Sequence, residues 1–231
     1  MIKVENIEVF NFEGAIRGLR NPMNSWDKSD SFRCIDRLDC DGCPCEGVDD
    51  TCNSPVDKLK DVIVGQNDLD LMRRLYKAGT EHRKYLRQIF VSMDITAPLY
   101  WWKEADTYRI GVTANSCSTM HKIHSKEFEL DDFSHEHLTN SSKLTLMDVI
   151  GDMNMYRQLF IKSKDKNHWW QMIQLLPSSY NQRRTVTMNY ENVMTIIKQR
   201  SGHKLDEWNQ FVETLKGLPY IAEIRENADI D

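Results

Sequence analysis

No run of apolar residues in this chain approaches the roughly 20 that span a bilayer, so no membrane helix is expected. The opening residues, Met1-Ile2-Lys3-Val4-Glu5-Asn6, lack the apolar core of a signal peptide. A cytoplasmic location is the expectation. Positive charge is not in excess: Lys and Arg total 30 against 35 Asp and Glu, a net charge of −5. That balance gives no general nucleic-acid footprint. A small anion remains open, because it needs only a local cluster of arginines. The cysteines lack the pattern of a firm zinc site. Cys34, Cys40, Cys43, Cys45 and Cys52 crowd one segment, and Cys117 stands alone. Cys40-x-x-Cys43-x-Cys45 is roughly zinc-like in spacing, yet there is no second C-x-x-C pair. Without an export signal, disulfides are not expected at rest. The expectation is reduced thiols and no bound metal.

What is present is the composition of a globular protein. Of 231 residues, 40% are hydrophobic and 28% charged, and six are tryptophan. That is enough for one sizeable domain or two small ones. Residues 1–12 place Ile2, Val4, Ile7, Val9 and Phe10 in a strand-like pattern. Gly14 to Arg20 reads as a helix halted by Asn21-Pro22. Arg17 and Arg20 lie three apart and share a helical face. That face is either solvated or an anion contact. Residues 24–66 have no sustained period and read as an irregular, Cys-rich surface insertion. A helix follows over Leu69, Met72, Leu75 and Tyr76, broken at Gly79, then a short helical piece from His82 to Gln88. Ile89 to Ile95 reads as a buried strand.

The chain is organised around the next stretch, Ile95 to Thr119. Thr96 is expected to cap a helix with Pro98 near its first turn. The helix carries Trp101 and Trp102 and runs out through Tyr108 and Arg109. The run Ile110-Gly111-Val112-Thr113-Ala114-Asn115-Ser116-Cys117-Ser118-Thr119 is small and polar. Such a run reads either as an ordinary polar loop or as exposed N–H groups and hydroxyls suited to a phosphate or a polar ring. An arginine at its entrance adds a fixed positive fork.

Four histidines follow, His121, His124, His135 and His137, without a shared helical face; scattered surface positions are expected. Leu144 to Lys164 predicts a long helix with Leu146, Val149, Ile150, Met153, Leu159 and Phe160 inward. Trp169 to Leu176 predicts another. Arg184 to Asn189 predicts a strand, Asn192 to Gln199 a helix, and Asp206 to Leu218 the last helix. Arg200 falls at a helix C-terminus, where the dipole alone favours a cation. The tail after Pro219 is acidic and expected to be peripheral. The whole predicts an α+β fold, one domain over 1–231, with a small sheet flanked by long helices.

Three segments carry a resemblance to the flavin-dependent thymidylate synthases: Ile95 through Arg109, Tyr156-Arg157 through Leu175-Leu176-Pro177, and Thr187-Met188-Asn189 through Arg200 to Trp208. It covers roughly residues 67–215. The family ends its hydrophobic helix in Arg-His-Arg, where this chain has Thr107-Tyr108-Arg109. The family then has Ser-x-Asn-Glu-x-Ser-x-Arg. Here Cys117 replaces a serine and Thr119 an arginine. An arginine usual before Leu-Leu-Pro appears as Ile173. Arg17, Arg20, Arg183 and Arg184 are candidates to replace the lost charge.

The resemblance implies a homotetramer with FAD at subunit junctions, while the charge balance and the lack of an apolar span lead to the expectation of no nucleic-acid or membrane partner. It implies dUMP as substrate, methylenetetrahydrofolate as carbon donor and NADPH as reductant. It implies His82, Ser92, Arg109, Asn189 and His203 on the cofactor. It implies Glu104, Arg109, Asn115, Ser116, Cys117, Ser118 and Arg200 on the nucleotide. Cys117 and Tyr108 are the expected catalytic residues, because a thiol is a better nucleophile than the hydroxyl it replaces. The other reading of Cys117 is a small packed residue. Two further readings of the whole stay open: an enzyme acting on another nucleotide, and a non-catalytic nucleotide-binding or structural relative.

Overall fold

A computed structural model of the chain describes residues 1–33 and 62–226. The cysteines from Cys34 to Cys52 lie outside the described residues. The fold is mixed helix and sheet. A four-stranded sheet has the order β1-β4-β6-β5, from β1 (Lys3–Phe10), β4 (Phe90–Pro98), β5 (Val112–Ser116) and β6 (Asn181–Asn189). A two-stranded ladder pairs β2 (Phe32–Arg33) antiparallel with β3 (Val62–Ile63), Phe32 facing Ile63. The helices are α1 (Phe12–Arg20), α2 (Gln66–Lys77), α3 (Leu99–Ala105), α4 (Asn140–Ser163), α5 (Lys166–Leu175), α6 (Tyr190–Arg200), α7 (Asp206–Lys216) and α8 (Ile221–Arg225). Among the described residues no helix is long and apolar enough to cross a membrane.

The described residues form two compact units: 1–5, 94–186 and 203–211, then 6–33, 62–93, 187–202 and 212–226. In the first, α4 and α5 form a hairpin over Ile123, Phe128, Phe133, Leu146, Ile150, Met153 and Met172. Thr139 caps α4 by accepting from the Ser142 N–H at 3.2 Å, and Asp165 caps α5 from the Asn167 N–H at 2.9 Å. Leu159, expected inward, is exposed instead. It lies with Leu144, Met147 and Met155 on the face opposite the core, because α4 is apolar on two sides.

In the second unit α1 buries Phe12, Ala15, Ile16 and Leu19. Phe12 meets the rings of Tyr190 and Tyr220 edge-on at 5.7 and 5.4 Å. The α2 helix stops as expected at Gly79, which takes φ +105°, a conformation that glycine adopts without strain. Its start needs a glycine for another reason. A Cβ on Gly65 would stand 2.5 Å from the Asp30 carbonyl oxygen.

Several expectations change. The β4 strand runs on to Pro98, with Val91, Met93, Ile95 and Ala97 buried alternately, so Thr96 is a strand residue and caps nothing. The small-residue run is not a loop throughout; Val112–Ser116 is edge strand β5. The segment after Pro219 is not peripheral up to Glu226. Tyr220, Ile221 and Ile224 are buried, and the Tyr220 hydroxyl donates to the Val62 carbonyl at 2.9 Å. The insertion is also less irregular at its roots. Ser29, Asp30 and Ser31 fold onto Asp68, which is fully buried and ion-paired with Arg20 at 2.7 Å. Arg20 is therefore neither solvated nor on Arg17's exposed face.

Candidate functional site

In the first unit the site residues are set by α3 and the β5–β6 edge. Trp101 and Trp102 are buried, and Trp101 packs against Trp208 at 4.7 Å and Phe211 at 5.4 Å. This aromatic block holds the C-terminal end of α3. Trp102 Nε1 donates to the Gln182 carbonyl at 2.9 Å, which ties the helix to β6. The Arg184 guanidinium lies over the Trp102 ring at 4.1 Å. It also pairs with Asp106 at 2.7 Å and donates to Gln182 Oε1 at 3.0 Å. Gln182 Nε2 then donates to the Cys117 carbonyl at 2.7 Å, and the Cys117 N–H donates to the Arg183 carbonyl at 2.9 Å. Asp106, Arg184, Gln182 and the Cys117 backbone thus form one continuous chain of contacts.

Cys117 is exposed in the single chain and is not packed in that chain's own core. Asn115 and Ser116 are exposed beside it on β5. Ser118 differs: its hydroxyl oxygen accepts from the Met120 and His121 N–H groups at 3.2 and 2.8 Å and so closes a turn. Arg183 and Arg184, nominated as replacement arginines, are committed to Asp94 at 2.6 Å and to Asp106. Arg109 stands exposed at the entrance, with its Nε on the Asp106 carbonyl at 3.1 Å.

Glu104 and His203 meet directly. Glu104 Oε2 accepts from Trp208 Nε1 at 3.1 Å and lies 3.5 Å from His203 Nε2. His203 Nδ1 accepts from the Leu205 N–H at 3.1 Å. That bond makes Nδ1 the acceptor and puts the ring proton on Nε2, facing the carboxylate. Tyr108 lies edge-on to Trp208 at 6.1 Å, so Glu104, Tyr108 and His203 gather around one indole. The four histidines are spread out. His124 packs edge-on against Phe160 at 4.9 Å, and burial lowers its pKa. His135 bonds its neighbour Phe133's carbonyl, His137 faces Asp206 at 3.3 Å, and His121 is exposed.

The second unit carries His82, Ser92, Asn189 and Arg200. His82 is exposed after Gly79. Ser92 accepts from the Thr187 hydroxyl at 3.2 Å. Asn189 ends β6, and its Oδ1 accepts from the Asn192 N–H at 3.0 Å, capping α6. Arg200 is the last residue of α6 and half-buried. Arg83 pairs with Glu191 at 2.7 Å and lies over Tyr76 at 5.1 Å. Its Nε and the second Glu191 oxygen are buried with no hydrogen-bond partner. A donor and an acceptor are therefore left over beside the start of α6. Sequence reasoning missed Gln182, Asp106 and the Arg83–Glu191 pair. None has a local signal, since each acts through a partner tens of residues away.

No family model and no curated protein matches the chain by sequence. Solved structures do match in fold. Thymidylate synthase X from Helicobacter pylori with FAD and dUMP superposes with a TM-score of 0.64 at 15% identity, covering 96% of this chain and 95% of that one. A second structure, flavin-dependent thymidylate synthase from Helicobacter pylori complexed with FAD and dUMP, gives 0.62 at 16% identity, covering 97% and 98%. At this identity the likeness establishes the fold: the chain has the architecture of those synthases along almost its whole length.

Proposed function

We propose that the chain is a flavin-dependent nucleotide methylase, binding FAD and a pyrimidine nucleotide and resembling thymidylate synthase in reaction. The observation that carries this reading is the near-complete overlap of fold with two synthase structures holding FAD and dUMP. The donor set fits such ligands. Arg109 offers an exposed guanidinium for a phosphate, and Asn115 and Ser116 offer polar groups on an edge strand for a pyrimidine. The leftover Arg83 donor and Glu191 acceptor, near His82 and Asn189 in sequence, suit a ring edge that carries both C=O and N–H groups. FAD, when bound, supplies the hydride chemistry, with methylenetetrahydrofolate as carbon donor and NADPH as reductant.

The chain's own residues bind, orient and move protons. Arg109 and Arg200 each offer a guanidinium to nucleotide charge. Arg184, through Gln182, holds the Cys117 backbone in place. The Cys117 sulfur adds to C6 of the pyrimidine as its proton passes to solvent, and the C5–C6 π pair moves onto C5. C5 then bonds the methylene carbon of the folate as one of that carbon's two bonds to folate nitrogen breaks, the electron pair and a proton going to the nitrogen. Loss of the C5 proton to solvent restores the double bond and expels the sulfur; cleavage of the remaining folate C–N bond, with a hydride that FAD would supply when bound, would leave the methyl group and release tetrahydrofolate. His203, its proton held on Nε2 toward Glu104, and Tyr108 line the same aromatic wall. We further propose a homotetramer, formed in part by the exposed α4 face of Leu144, Met147, Met155 and Leu159.

The reading is tested by incubating the protein with dUMP, FAD, NADPH and methylenetetrahydrofolate and following nucleotide mass. Conversion to dTMP supports it. The commitment of Arg183 and Arg184 to carboxylates favours a second reading, a nucleotide-binding relative without chemistry. Saturable dUMP binding with no product from dUMP or any other pyrimidine nucleotide would establish that reading instead.

A further inference from the structure

A cleft of about 560 Å³ opens within the second unit, lined by Arg20, Lys28, Asn67, Asp70, Arg73 and Arg74. None of these belongs to the stretch that carries the nucleotide motif. The charges on its wall are unevenly used. Arg73 gives its Nε to the Glu223 carbonyl at 2.8 Å and pairs with both Asp70 and Glu226. Asp70, the only carboxylate on the wall among the described residues, also accepts from Gln66 at 2.8 Å. The lone acid is therefore satisfied.

The remaining donors are not. Lys28 Nζ, the Arg74 guanidinium and the Asn67 amide make no hydrogen bond or ion pair among the described residues. Arg20 is the telling one, with its side chain only 5% exposed. Its Nε pairs with Asp68 at 2.7 Å and its Nη2 reaches the Lys28 carbonyl at 3.2 Å. Its Nη1 makes no hydrogen bond to another described residue and keeps solvent contact at the cleft that Arg20 lines. The peptide N–H groups of Asn67 and Asp68, in the first turn of α2, are already taken by Asp30 at 2.9 and 3.2 Å. Binding would rest on side chains.

We propose that this cleft binds a phosphate-bearing small molecule. Arg20 Nη1, the Arg74 fork, Lys28 Nζ and Asn67 offer more donors than the two oxygens of a carboxylate can use. A phosphate group has three terminal oxygens and up to two charges. The volume exceeds that of a lone phosphate, so the ligand is a phosphate ester or diphosphate. The chain's net charge of −5 disfavours a nucleic acid at this local positive site.

The test is calorimetric titration of the full chain with inorganic pyrophosphate at low salt. Saturable binding is expected at one per chain. Lys28→Ala with Arg74→Ala, both exposed, should weaken it tenfold or more and leave the melting temperature of the ligand-free protein unchanged. Arg109→Ala with Arg200→Ala should leave it intact. No saturable heat with the unmodified protein, or undiminished affinity in the Lys28/Arg74 variant, overturns the proposal. So does loss of binding in the Arg109/Arg200 variant alone, which would assign the anion to the other site.

Discussion

Asp68 has no exposed surface, and its carboxylate gathers Arg20, Ser29, Ser31 and two backbone N–H groups. Burial pushes its pKa up, but the hydrogen bonds from Ser31, Ser29 and Arg20 and the Arg20 charge outweigh that and hold it below the usual carboxylate range. A pKa lower in the folded state than the ordinary value of about 3.9 stabilises the fold above that value. The stabilisation is lost as pH falls through the folded pKa. Asp68→Ala leaves a buried guanidinium unpaired and should cost about 3–5 kcal/mol. Urea unfolding of both proteins across pH should show the gap full at neutral pH and shrinking in acid; a gap constant down to strong acid contradicts this. Arg20 shows how far a local pattern reaches. Its spacing from Arg17 placed it on a helix, correctly, but its burial depends on a carboxylate 48 positions away. Cys117 is the other residue whose reading turned on exposure. Its thiol should be alkylated readily, and dUMP should slow the labelling. Full activity in Cys117→Ser, or labelling unaffected by dUMP, contradicts the nucleophile role.

Most helices were legible as elements because they carry their own periodicity, and α4, α5 and α6 their caps as well; α8 and the edges of the sheet were not. Val91, Met93, Ile95 and Ala97 alternate inward along β4, yet Thr96 and Pro98 imitate a helix start, so the boundary was set too early. The β5 sequence Val-Thr-Ala-Asn-Ser has no inward stripe, since four of its five residues are exposed; pairing with β6 makes it a strand. The candidate site was legible as a stretch but not as a network, because Gln182 and Asp106 gain meaning only through Arg184. Asn189 illustrates a residue with two claims on it. As the N-cap of α6, its replacement by Ala should cost about 1 kcal/mol of stability whether or not flavin binds. Thermal melts of Asn189→Ala with and without FAD separate the roles: equal losses assign it to the cap alone, and a larger loss with FAD assigns it to the cofactor as well. The β2–β3 ladder closes the root of the cysteine-bearing segment by pairing Phe32 with Ile63. Replacing residues 34–52 by a short linker should therefore leave a folded protein with little change in melting temperature. A collapse of stability, or stoichiometric zinc in the intact protein, contradicts that expectation.

At the scale of the molecule, the overlap with the synthase structures spans 96% and 97% of this chain at 15–16% identity. Architecture outlasts sequence in this way because a core needs apolar volume and periodicity more than particular residues, whereas chemistry needs named ones. The α4 face of Leu144, Met147, Met155 and Leu159 belongs to this scale, since nothing in its own unit's core covers it. Leu144→Asp with Met155→Asp should lower the mass seen by light scattering if the face is a subunit contact. An unchanged mass removes it from the interface. The central claim is that this fold still takes up a flavin. Titrating the purified chain with FAD and following the visible flavin absorbance and its fluorescence tests that claim most directly. The account predicts saturable binding at one FAD per chain, tightened by dUMP. Free, unquenched flavin at every protein concentration, with colourless protein after gel filtration, would contradict it.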